Sequence, residues 1–124
     1  MDKVVHFEVP YDEADRAHTF YREAFGWQLQ SMPDMGYTMA TTTPADESGR
    51  PSEPGSINGG MLAKQGPITG PVIVIGVDDL DDAVARVEKL GGSVAIGRQP
   101  VGDMGFAAYV NDTEGNLIGL WQSA

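Results

Sequence analysis

A four-residue phrase occurs twice in this chain, as Asp34-Met35-Gly36-Tyr37 and as Asp103-Met104-Gly105-Phe106. The echo is wider than the phrase itself. Upstream of each copy lies a strand-like run ending in valine (Val9, Val77), then a helix-like run, then a glycine (Gly26, Gly92), all at nearly one offset. Self-similarity of this kind marks an internal repeat and constrains the fold before any local pattern does. The chain therefore reads as two copies of one module. A module of roughly 60 residues buries too little surface to be comfortable alone. The copies are expected to pack together, within one chain or across a dimer, and to share a cleft.

The 124 residues are enough for one domain with a real core. Module one is assigned to residues 1–63, a connector to 64–70 and module two to 71–124. A net charge of −10 argues against nucleic acid or an anionic membrane as partner. With no cysteine there are no disulfides, thiolate nucleophiles or Cys-based zinc sites. No apolar run of about 18 residues is present. The N-terminal MDKVVHFEVP lacks the pattern of a signal peptide, so a cytoplasmic location is expected.

Lys3 to Val9 alternates as a strand, with Val5, Phe7 and Val9 on one face and Val4, His6 and Glu8 on the other. Pro10 is expected to end it, and Asp12 to cap a helix whose apolar stripe is Ala14, Ala17, Tyr21 and Ala24. Gly26 closes that helix. Strands follow at Trp27 to Ser31, Tyr37 to Thr43 and Ile57 to Leu62, the last weakened by Gly59-Gly60. Pro44 to Ser56 reads as a mobile loop, either a lid or a plain surface loop. In the second copy, Pro71 to Val77 is a β-branched strand. Asp78 or Asp79 caps a helix whose buried stripe is Leu80, Val84, Val87 and Leu90. Strands at Ser93 to Ile96, Gly105 to Asn111 and Asn116 to Gln122 complete it.

Three stretches carry a family resemblance. HFEVPYDEADRAHTFYREAFGW looks like a first strand, helix and Phe-Gly-Trp exit. VIVIGVDDLDDAVARVEKLGG looks like a second-module opening, and DTEGNLIGLWQ like a closing hairpin. Together they resemble the vicinal oxygen chelate superfamily, which holds glyoxalase I, extradiol dioxygenases and bleomycin resistance proteins. The resemblance covers nearly the whole chain. It implies an α+β fold of two tandem βαβββ modules, with eight strands curved into an open sheet cup, often as a homodimer.

Enzymes of that superfamily hold a divalent metal at the cup floor. The resemblance puts the corresponding positions at Val4, Val72 and Gly119; a fourth, near Gly59, Gly60 and Met61, is hard to align. None of the three alignable positions offers a side-chain donor, and a stable site needs three or four. No cofactor and no metal are therefore expected. His6 and Glu8, two apart on a strand, share a face. Three roles stay open for them: metal ligands, an acid/base pair, or the polar floor of a cup. His18 reads as a surface histidine.

Alternation along the strands nominates the rest of the cup lining: Val4, Val72, Val74, Leu117, Gly119 and Trp121, with Tyr37 and Met39 or Phe106 as walls. Gly119 is expected to leave room, and Trp121 has core or dimer packing as its ordinary alternative. An apolar and aromatic wall over a few polar groups suits a small hydrophobic or aromatic ligand. The expected function is metal-independent binding of such a molecule, as antibiotic-sequestering members of the superfamily do. The alternatives are a glyoxalase-like lyase or isomerase, or a dioxygenase-like enzyme, using His6 and Glu8, and a purely structural module.

Overall fold

The computed structural model describes residues 1–124. The chain divides into two compact units, His6–Pro71 and Val72–Ala124, the latter joined by the N-terminal Met1–Val5. Strand β1 (Lys3–Tyr11) contributes its first residues to one unit and the remainder to the other.

The His6–Pro71 unit contains helix α1 (Ala14–Phe25) and strands β2 (Gln28–Met32), β3 (Tyr37–Thr41) and β4 (Gly59–Ala63), ordered β2-β3-β4-β1. β2/β3 and β3/β4 pair antiparallel, and β4 pairs parallel with β1. β1 runs through Pro10, which pairs with Leu62. The expectation that Pro10 ends the strand is corrected: this proline lies next to the strand's last residue, where a missing amide interrupts the ladder least. Asp12 is not the cap. Glu13 is, its carboxylate accepting the Arg16 backbone N–H at 2.8 Å. Gly26 ends the helix in the left-handed conformation, φ +73°, that favours glycine. Local hydrogen bonds shape the stretch expected to be a mobile loop and its flanks. Asp46 accepts from the backbone of Ser48 and Arg50, and Asn58 Oδ1 accepts from the backbone of Thr42 and Thr43.

The Val72–Ala124 unit repeats the plan. It has β5 (Val72–Gly76), α2 (Leu80–Lys89), β6 (Ser93–Val101), β7 (Gly105–Asn111) and β8 (Leu117–Ser123), ordered β5-β8-β7-β6. β5 and β8 are parallel, and the other pairs antiparallel. Asp79 caps α2 by accepting the Asp82 N–H at 3.0 Å. The core of this unit is Leu80, Ala83, Ala108, Val110 and Leu120, with Ile75, Val77 and Val87 packed against it. Leu90 does not belong to the buried stripe. It stands at the C-cap, 74% exposed, because α2 ends one residue earlier. β6 runs to Val101, well past the expected end at Ile96, with register shifts that let it follow β7. No helix is long and apolar enough to cross a membrane.

Candidate functional site

Register assigns the faces. In the His6–Pro71 unit, Met39 pairs with Gly60, Tyr37 with Leu62, and Glu8 with Gly60. Paired residues share a face, and so do residues two apart. His6, Glu8, Tyr37, Met39 and Gly60 therefore lie on one side. Helix α1 lies on the other, where His18 Nε2 and Thr38 Oγ1 hydrogen-bond at 3.2 Å and Tyr11 meets the His18 ring edge-on. His18 is thus a half-buried, partnered residue, not the free surface histidine expected from sequence.

Two consecutive glycines seat two rings on opposite faces of β4. A Cβ at Gly59 would meet the Phe7 ring at 2.6 Å, and a Cβ at Gly60 would fall within the Tyr37 side chain. Tyr37 starts on β3 and crosses over β4 at Gly60. It reaches β1, where Tyr37 Oη and His6 Nε2 hydrogen-bond at 2.7 Å. Any larger residue at 60 would stand in the path of the phenol. In the sequence, Gly59-Gly60 stands as a weakness in the strand and near a fourth ligand position that is hard to align. The available signal was that a glycine inside a strand often marks close approach by another group.

Burial holds the His6 imidazole below its ordinary pKa, because desolvation disfavours the cation; the nearby Glu8 carboxylate partly offsets this. Glu8 itself is 6% exposed. The site face thus carries a neutral imidazole at neutral pH, a phenol, a buried carboxyl and the half-buried Met39 thioether. This arrangement can hydrogen-bond a ligand or move a proton between imidazole and phenol.

The other nominated residues belong to the other compact unit, which takes in Met1–Val5 and Val72–Ala124. In the Val72–Ala124 unit, Val74 pairs with Gly119, which in turn pairs with Tyr109. Val72 and Val74 are 2% and 7% exposed. The room expected at Gly119 is already taken, since a Cβ there would meet Val74 Cγ2 at 2.9 Å. Phe106 is corrected as well. It packs on the α2 side against the Leu80 cluster, with the Arg98 guanidinium 4.0 Å from its ring centroid. Its neighbours Ala108 and Val110, at spacing two, face the same way. Leu117 and Trp121 are half-buried on the Gly119 side, and Trp121 Nε1 donates to Ser123 Oγ at 3.2 Å. Val4 is 44% exposed. A cavity of about 270 Å³ opens beside α2, lined by Ile75, Val77, Val87, Leu90 and Leu120 with Arg86, and takes in none of the nominated residues.

The residues present do not fit the divalent metal of the superfamily's enzymes. The positions that resemblance assigns to ligands carry Val4, Val72 and Gly119. No three His, Asp or Glu side chains anywhere in the chain come together as a ligand set.

Residues 3–43 match the family model for the bleomycin resistance protein-like N-terminal region. The chain is 32% identical over 114 residues to a glyoxylase-like domain-containing protein of Didymella fabae, covering 88% of this chain and 84% of that protein. It is 34% identical over 112 residues to CFP32, a candidate glyoxylase of Mycobacterium tuberculosis. That match takes in 86% of this chain but spans only 40% of CFP32. Among solved structures, Streptomyces coelicolor methylmalonyl-CoA epimerase superposes with TM-score 0.65 at 19% identity, over 98% of this chain and 97% of the other. A glyoxalase/bleomycin resistance protein/dioxygenase superfamily member from Vibrio splendidus superposes with TM-score 0.64 at 15% identity, over the full length of both. These structures share the fold, and the chain belongs to the vicinal oxygen chelate superfamily, with the α+β glyoxalase/bleomycin resistance fold.

Proposed function

We propose that this chain is a metal-independent member of its superfamily that binds a small hydrophobic or aromatic molecule on the His6–Tyr37 face. The role would be sequestration, of the kind that resistance-type members perform on antibiotics. One observation carries this reading. Where the superfamily's enzymes gather donor side chains, this chain has valines and a glycine, and its polar groups form a hydrogen-bonded imidazole–phenol pair seated over Gly60. Such a pair offers directional hydrogen bonding beside Met39 and aromatic surface, the usual makeup of a small-molecule site. Under this reading the protein works as a homodimer without a cofactor, and light scattering checks the first part.

Metal analysis of the purified protein, paired with a thermal-shift screen of aromatic small molecules, tests the proposal. Saturable stabilisation by aromatic compounds in metal-free protein supports it. One tightly held divalent ion per chain, lost in His6→Ala or Glu8→Ala, overturns it.

The 2.7 Å His6–Tyr37 bond, with Glu8 close by, favours one second reading. A neutral imidazole bonded to a phenol can take up and return a proton. A glyoxalase-like lyase or isomerase using His6 and Glu8 would turn over thiol-derived hemithioacetals, and that turnover would vanish in His6→Ala.

A further inference from the structure

We infer that the His6–Tyr37 pair is a flat platform on which a planar, non-anionic aromatic ring system stacks. The inference rests on the small-molecule-binding reading and names the ligand class for that site.

The geometry leads there in three steps. An imidazole nitrogen gives and takes hydrogen bonds in the plane of its ring, so Tyr37 Oη, 2.7 Å from His6 Nε2, lies near the imidazole plane. The phenol oxygen also lies in its own ring plane. The two planes differ by only 18° and share that oxygen, so they nearly coincide; the centroid separation of 6.3 Å is that of rings joined edge to edge. The two rings thus make one continuous flat surface.

The platform is held on its underside. Tyr37 lies across β4 because Gly60 has no Cβ to lift it, and Gly60 is buried. Both rings are partly exposed, and the face turned away from Gly60 is the one on which a ligand would stack. Flat aromatic partners prefer offset stacking on such a surface over packing by an equally greasy but puckered molecule. Glu8, on the same strand face and 6% exposed, and a chain charge of −10 both oppose a ligand carrying negative charge.

The test uses the full chain and three probes of similar size in calorimetric titrations: 1-naphthol, its fully saturated decahydro analogue and 2-naphthoate. The expected result is 1-naphthol binding about 10-fold tighter than the saturated alcohol, with 2-naphthoate weakest. Tyr37→Leu should bring the two alcohols to parity, whereas Tyr37→Phe, which keeps the ring, should keep most of the preference. Gly60→Ala, which displaces the ring without deleting it, should match Tyr37→Leu and guards against a variant that fails to fold. Equal binding of the two alcohols by the parent protein overturns the platform and leaves the binding reading standing. A preference that survives both Tyr37→Leu and Gly60→Ala does the same. No saturable binding of any probe overturns both.

Discussion

The same strand face carries different chemistry in the two halves of this duplicated chain. At equivalent positions of the repeat, β1 has Val4, His6 and Glu8, and β5 has Val72, Val74 and Gly76. In the first half a glycine on the neighbouring strand admits a ring, and Tyr37 crosses Gly60 to reach His6. In the second half the glycine on the neighbouring strand is already occupied, with Val74 packed over Gly119. One half keeps a polar, partly exposed pair; the other sets Val74 over Gly119, on a face it shares with Tyr109 and Trp121. Duplication supplies a scaffold twice, and a few residues on one face decide which copy carries polar side chains there.

The helices differ in the same sense. α2 buries Leu80 and Ala83, whereas α1 has no buried residue and leaves Phe20 and Phe25 56% and 64% exposed. The helix of the second half is thus anchored in a core, and that of the first half is not.

The strongest way to break this comparison is Leu80→Ala. It removes a side chain that is 0% exposed, and a loss of about 3 kcal/mol is expected in denaturant unfolding. A loss below about 1 kcal/mol would mean that the α2 core is not the anchor. Next is Gly119→Ala, expected to cost about 1–3 kcal/mol by overpacking against Val74. Adding Val74→Ala should recover part of that cost, so the pair couples in a double-mutant cycle. Additive losses would show that Val74 does not fill the glycine's space.

Smaller effects lie on the first half. Tyr37→Phe deletes the hydrogen bond to His6, with about 1 kcal/mol expected in thermal unfolding. The pH dependence follows from the lowered pKa of His6. The unfolded chain takes up this proton at a higher pH than the folded one. The stability contribution is therefore complete above the unfolded value of 6.5 and is lost as pH falls from there through the folded value. Thermal melts should show this slope, and His6→Gln should remove it. Smallest of all, Phe20→Ser on exposed α1 should change stability by less than about 0.5 kcal/mol. A larger loss would mean that α1 is covered by a partner in solution.

Much of the fold was legible in local chemistry. The repeat announced two strand–helix–three-strand modules, and both formed. Gly26 and the Asp78-Asp79 pair were readable as helix ends because capping is a short-range matter between a side chain and the next few amides, and the structure selects Asp79. The face of His6 and Glu8 was readable because β alternation is strictly periodic. Phe106 was misread because alternation gives two faces but not which one the helix covers. Leu90 was misread because helical periodicity continues past the point where the backbone stops being a helix.

The amino-acid sequence by itself determined the duplicated scaffold, its family, and the absence of donor side chains at Val4, Val72 and Gly119, since these depend on residue identity and spacing along the chain. Only the tertiary structure decided that Tyr37 lies over Gly60 against His6, that Val74 fills Gly119, and that Phe106 turns toward α2. Those contacts depend on strand register across three strands, and a shift of one residue would send every one of these side chains to the opposite face.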